Sequence, residues 1–387
     1  MPIVYPYTQY SGVWSSQAQM QAKAAGTWPV PPSPKLFSWG RNSSGQLGLG
    51  DRTSRSSPVQ VGALTSWSKI DGGGAHTLAI KTDGTLWSWG QNDQGQLGLG
   101  NTTDYSSPKQ VGSLTNWLNV ACGGYFSVAI KTDGTLWSWG RNTTYGQLGL
   151  GNTVSISSPA QVGALSNWAK VATGSEFCLA TKSDGTLWSW GQNTQGQLGL
   201  GNTTAYSSPK QVGALTNWLN VSCGQYHSLA TTTTGELYVW GFNGEGQLGL
   251  GNTTQRNSPV QVGALTTWLK IAGDSYSRYS LATKTDGTLW SWGQNDQGQL
   301  GLGNTTYYSS PKQVGALNTW SYIAMGSRST FSIKTDGTLW SWGGNGNGRL
   351  GLGNTTNYSS PKQVGALTSW LNIAGSYAHS IGIASTT

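Results

Sequence analysis

Charge is what this chain has least of: only 9% of its 387 residues are Asp, Glu, Lys or Arg, against about 25% in ordinary globular proteins. Cysteine is scarce too. Cys122, Cys178 and Cys223 are an odd number at long spacings, which speaks against a disulfide framework or a zinc site and for small buried hydrophobes. No run approaches the roughly 18 consecutive apolar residues of a membrane helix, so no membrane insertion is expected. The opening MPIVYPYTQY lacks a basic stretch followed by an apolar one, and no secretory signal is visible. No nucleophile stands beside a base, and GQLGLG lacks the Lys-Ser/Thr of a phosphate loop.

What the chain does have is 57 Gly and 21 Trp, and so many aromatics exclude general disorder. The tryptophans are periodic. Trp-Gly recurs at Trp39, Trp89, Trp139, Trp190, Trp240, Trp292 and Trp342, seven times at intervals of 50 to 52 residues. Each unit reads approximately IKTDGTLWSWGQNDQGQLGLGNTTxYSSPKQVGALTNWLNVAxGxxHSLA. Alternating segments on either side of Asp-Gly, the favoured centre of a type I′ turn, predict a β-hairpin. KQVGAL and WLNVA supply further strand segments, about four per unit, and no long helical period appears. Four strands per unit at this period predict an all-β propeller of seven blades.

The repeat starts out of phase. Hairpin turns stand at Asp83-Gly84, Asp133-Gly134, Asp184-Gly185, Thr234-Gly235, Asp286-Gly287 and Asp336-Gly337, six turns for seven Trp-Gly units. The leftover halves are KLFSWG at the start and AHSIGIAS at the end. Pairing them through Leu36, Phe37, Trp39, Ile381 and Ile383 makes the seventh blade from both ends of residues 35–387, leaving no open sheet edge and no unmatched blade face.

WSWGxNxxGQLGLG, SSPxQVG and AxGxxHSLA, recurring in fixed order, resemble the regulator of chromosome condensation repeat across residues 35 to 387. The resemblance implies a seven-bladed propeller. Relatives include a guanine-nucleotide exchange factor, a plant ultraviolet-B receptor and a bacterial β-lactamase inhibitor, so fold alone does not choose a function. The even spacings leave no room for the wedge on which exchange activity depends in that family. Stretches such as GGAHT and GQYHS lack the receptor's Trp-Arg pairs. The inhibitor's mode, aromatic side chains on a rim gripping another protein, is compatible with this sequence.

The candidate chemistry is sparse. His76, His227 and His379 occupy one repeat position on three non-adjacent blades, which separates them and predicts no metal site. Five of the fourteen carboxylates are hairpin-turn aspartates, which the turn itself favours. The residues point to no enzyme and to no cofactor. The net charge of +8 is dispersed through repeated positions rather than gathered in a patch, so no specific nucleic-acid partner is expected. Tyrosine before SSP goes with lysine after the proline: Tyr105 with Lys109, Tyr206 with Lys210, Tyr308 with Lys312 and Tyr358 with Lys362. These pairs read as ring–ammonium contacts and as a candidate recognition rim, a solvated decoration being the equal alternative. Two loop expansions, around Tyr145 and around Asp274, Tyr276 and Arg278, add Tyr and Arg, residue types enriched at binding hot spots, although loop insertions are tolerated cheaply and drift without function is the favoured alternative.

Residues 1–34 differ in composition, with Tyr5, Tyr7, Tyr10, Trp14, Met20 and Trp28, a short helix-forming stretch SSQAQMQAKAAG and a proline-rich spacer WPVPPSP. YSGVWSSQAQMQAKAAGTWP resembles a leader found at the start of marine bacteriophage structural proteins. That likeness implies a virion-surface protein, on capsid or tail, with several copies per particle. Its leader would dock on other virion proteins and its propeller would face outward, with host surface molecules as a further partner. The alternative is a propeller that binds or inhibits another protein through its rim loops.

Overall fold

The computed structural model describes residues 34–385, which form strands and no α-helix among the described residues. The candidate anchor residues Tyr5, Tyr7, Tyr10, Trp14, Met20 and Trp28 lie outside the described residues, as does the stretch read as a short helix. The strands make seven four-stranded antiparallel sheets. One blade shows the plan: β3 (Trp67–Gly72) lies innermost, followed outward by β4 (His76–Lys81), β5 (Leu86–Gly90) and β6 (Tyr105–Gln110). Taken in chain order from β3, these are blades I to VII.

Blade VII is the shared one. β1 (Pro34–Gly40) and β2 (Arg55–Thr65) join β27 (Trp370–Gly375) and β28 (His379–Ser385) in the order β2-β1-β28-β27. The central pairing is continuous, with Leu36 opposite Ile383, Phe37 opposite Gly382, Ser38 opposite Ile381 and Trp39 opposite Ser380. Leu36, Ile381 and Ile383 pack against Trp67 and Trp89 of blade I. On the opposite side of the same blade, Trp39 packs with Phe37 and Trp370 against Phe331 and Ile333 of blade VI. The clasp thus fills both of its neighbours' faces.

Every blade interface is stitched in the same way. The first-named indole of each pair donates to a backbone carbonyl in the preceding blade's Gly-rich loop: Trp89 to Gln46 at 2.9 Å, Trp240 to Gln197 at 2.9 Å and, across the closure, Trp39 to Arg349 at 2.7 Å. Such a bond satisfies a donor that burial would otherwise leave stranded. The innermost tryptophan, Trp67 for example, meets Trp87 and Trp89 edge-on, both at 6.2 Å.

Two expectations need correction. The hairpins are not type I′, because in the Asp83-Gly84 turn only Gly84 has a positive φ (78°). Gly84 N–H bonds to the Lys81 carbonyl at 2.9 Å and Lys81 N–H to that of Thr85 at 3.0 Å, giving a three-residue loop whose last residue is left-handed. Asp83 Oδ1 accepts from Thr85 N–H and Thr85 Oγ1, which fixes the Asp-Gly-Thr signature. Nor does closure remove every sheet edge. The outer strand of each blade remains an edge, guarded by a proline such as Pro108 and by a break in pairing register.

Candidate functional site

Chain direction gives the ring two dissimilar faces. The hairpin turns and the VGALT connections lie on one, called here the turn face. The Gly-rich loops between third and outer strands lie on the other, the loop face, together with the short loops that follow the innermost strands. Between them the innermost strands of all seven blades line a central channel.

The turn face carries an unanticipated feature. VGALT places one leucine per blade, Leu64, Leu114, Leu165, Leu215, Leu265, Leu317 and Leu367, and all seven are exposed at 38 to 48%. Nearer the channel, Leu118, Leu219, Leu269 and Leu371 are exposed as well. Single exposed leucines need no explanation, but the same residue recurring around one face makes an apolar ring. The sequence signal is a leucine three residues before the first tryptophan of each innermost strand, but periodicity alone does not say which side is solvent.

Inside that ring is the channel mouth. At the third position of the innermost strands stand Lys69, Asn119, Lys170, Asn220, Lys270, Tyr322 and Asn372, so that cations occupy alternate blades from I to V. Lys170 and Lys270 have ammonium pKa values below the usual range, because burial against the channel wall disfavours their charge. Deeper lie two acids that sequence reading did not single out as functional. Asp71 accepts from Cys122 N–H at 2.7 Å, and burial nevertheless raises its pKa to about 7. Asp274 is 7% exposed, with its pKa raised to about 8, chiefly by burial and further by Asp71.

The loop face closes over its end of the channel. The expansion at 273–278 turns inward: the Tyr276 ring meets that of Tyr377 at 4.9 Å, tilted by 54°, and its backbone carbonyl accepts from Ser327 Oγ at 3.5 Å. Its hydroxyl lies over Gly74 and Gly124, where an added methyl would come within 2.7 and 2.9 Å of it. One residue from blade V thus reaches elements of four other blades, three through its side chain and one through its backbone carbonyl. Arg278 is held by Gln225 Oε1 at 2.8 Å, sits 5.9 Å from the Phe242 ring and faces Glu245 at 3.8 Å. All five ion pairs among the described residues lie on this face, most of them between neighbouring blades. Tyr145 is half-buried in its own loop, next to Thr144 with φ 78°.

The remaining rim residues stand on the outer circumference. Lys109, Lys210, Lys312 and Lys362 lie 5.4 to 5.6 Å from the rings of Tyr105, Tyr206, Tyr308 and Tyr358. The pairing by co-occurrence is therefore a real contact, but the pairs sit on four separate blades and do not converge. The same tyrosine hydroxyls also accept from the asparagine four residues earlier, as Tyr308 does from Asn304 at 3.2 Å.

The histidines require a correction. Closure makes blade VII the neighbour of blade I, so His379 and His76 are on adjacent blades rather than separated. His379 Nε2 contacts Thr77 Oγ1 at 3.0 Å, His76 Nε2 contacts Ser127 Oγ at 3.0 Å, and His227 Nε2 contacts Ser280 Oγ at 2.9 Å. All three are fully buried, and burial depresses their pKa values to about 3 or 4. They bridge blades as neutral rings, out of reach of a substrate.

Comparison with known proteins agrees with this geometry. The family described as the RCC1-like domain matches residues 35–382. Among curated proteins nothing matches. The solved structure of Prp20p from Saccharomyces cerevisiae, reported with its binding to Gsp1p and histones, is 21% identical and has a TM-score of 0.82, covering 92% of each chain. Yeast Prp20 bound to Kap60 is also 21% identical at TM-score 0.82, covering 100% of this chain and 97% of the other. Human WBSCR16 is 23% identical at TM-score 0.81, covering 92% and 99%. At these identities the likeness shows the fold.

Proposed function

This chain belongs to the RCC1-like domain family, and we propose on that footing that it is a non-enzymatic propeller whose turn face binds another protein. The observation that carries the reading is the ring of seven exposed leucines, one per blade at a single repeat position. A rigid disc with an apolar ring around a cationic centre suits a partner whose contact surface is apolar with an acidic middle; the apolar part supplies affinity and the charges set orientation. Binding of Gsp1p, histones and Kap60 by the yeast relative supports a protein-binding role for this fold, without naming the partner here.

The test is co-purification from source cells with quantitative cross-linking. Replacing Leu64, Leu165 and Leu265 together by Ser is expected to abolish the captured partner while leaving the melting temperature unchanged. Lys109→Ala on the outer circumference is expected to leave capture intact. A partner kept by the leucine variant and lost by the lysine variant would overturn the turn-face reading in favour of the rim.

Residues 1–34 carry a separate proposal, supported by the likeness of residues 10 to 29 to a phage leader: they dock the chain, in several copies, on the surface of a virion. Mass spectrometry of purified particles checks it. Deletion of residues 1–34 is expected to remove the chain from particles, and its continued incorporation would end that reading.

A further inference from the structure

Beyond protein binding, we propose that the turn-face mouth of the channel is a site for a triphosphate-sized anion, held by Lys69, Lys170 and Lys270. Lys170 and Lys270 line a cavity of about 290 Å³ with Asn119, Asn220 and Tyr322, and Lys69 lines the adjoining channel. Lys170 and Lys270 stand on one cavity two blades apart, and Lys69 stands two blades before Lys170 on the wall of the adjoining channel. Each is held at one N–H at most. Lys170 donates to Asn220 Oδ1 at 2.6 Å, and Asn220 is fixed in turn by Thr231 Oγ1 and the Leu269 carbonyl. Lys270 donates to the Ser321 carbonyl and lies 5.8 Å from the Tyr322 ring. An ammonium has three N–H donors, so most of this donor capacity is left unused by the protein.

No carboxylate neutralises the cluster. Among the described residues every ion pair involves arginine, and none involves these lysines. Asp71, two residues deeper on the strand of Lys69, turns its carboxylate to backbone N–H groups instead. Burial raises the pKa values of Asp71 and Asp274 to about 7 and about 8, which lessens the negative charge they carry near neutrality.

The chemistry selects the ligand class. A carboxylate brings one charge in a plane and is best matched by a guanidinium fork, whereas point-charge ammonium groups suit phosphate oxygens of any direction. A linear triphosphate brings several negative charges in a volume that this cavity can take. That group could arrive as a free oligophosphate or on a nucleotide.

Isothermal titration calorimetry of the whole chain, with no protein partner present, separates this site from the protein-binding reading. Tripolyphosphate is expected to bind with a stoichiometry of about one, more weakly as salt rises. Lys170→Gln is expected to weaken it roughly tenfold, as loss of one charge-assisted bond does, and Lys109→Gln to leave it unchanged. ATP is the second arm. Binding equal to or tighter than that of tripolyphosphate assigns the site to nucleotides, and weaker binding assigns it to free oligophosphate. Absence of heat with both ligands, or equal affinity in Lys170→Gln and in the Lys69→Gln, Lys170→Gln, Lys270→Gln triple variant, would overturn the proposal.

Discussion

The two faces of this ring were made in different ways. On the turn face the repeat is copied: leucine recurs at one position in all seven blades, and five of the six hairpins keep Asp-Gly. On the loop face the repeat is edited, with an inserted residue at Tyr145, the inward fold of 273–278, Arg349 where other blades have Gln, and all the ion pairs among the described residues. Copying builds a surface whose chemistry is uniform around the axis, and editing builds one whose blades are individual. The first suits a broad apolar contact. The second spends its exceptions internally, on sealing the channel and tying blades together.

Acid should separate the two most strongly. The three buried histidines lie beneath the loop face, and their pKa values are lowered in the folded ring. Their contribution is therefore complete above the unfolded value near 6.5 and is lost as pH falls below it towards 3 or 4. At about pH 4 the loss approaches about 3 kcal/mol per histidine. Denaturant midpoints across that range, compared with those of His227→Gln, measure it. The turn aspartates also have lowered pKa values, through their threonine hydrogen bonds, but they are solvent-exposed and should add little.

A matched pair of glycines gives the next largest contrast. Gly199, at φ +72° under the loop face, would place a methyl 2.7 Å from Trp240 Nε1, the group that stitches two blades. Gly213, at φ +61° on the turn face, has open space around it. Gly199→Ala should cost about 3 kcal/mol from crowding plus the left-handed backbone, and Gly213→Ala about 1 kcal/mol from the backbone alone. Equal losses in thermal unfolding would mean that the loop face is not fastened more rigidly.

Between the faces, Asp71 has a raised pKa, so its contribution is complete below the unfolded value near 3.8 and is lost as pH rises through about 7. Asp71→Asn should therefore stabilise the ring at about pH 9 relative to about pH 5. The gain should be about 2 kcal/mol, discounted because the carboxyl keeps partial contact with the channel. Differential scanning calorimetry at both values checks the sign. Smallest of all should be Arg328→Ala, which removes a 3.0 Å pair with Asp296 that is 48% and 30% exposed. A loss below about 1 kcal/mol at low salt, vanishing at high salt, is expected of such a pair.

Much of the architecture could be read from one chain because repetition substitutes for an alignment. Seven Trp-Gly units with six hairpins dictate both the number of blades and the pairing of Leu36 with Ile383, since a missing turn has only one way to be replaced. The functional surface was harder to read. Leu64 and its equivalents are invisible as exposed residues until strand direction assigns them to a face. Tyr276 looked like a rim residue because an insertion in a loop carries no sign of whether it bends outward or over the axis. His76 and His379, distant in sequence, were judged apart by chain order, although the same closure that the missing turn implies makes them neighbours.

The pairing of β1 with β28 also has a consequence for how the protein is made. The strand that waits for its partner is the first of the ring to emerge from the ribosome, and the strand it needs is the last. During synthesis the nascent chain therefore carries a half-built sheet and, on blade VI, a face whose cover includes that unpaired strand. Newly made copies in close proximity would be at risk of exchanging ends, each completing the other's circle.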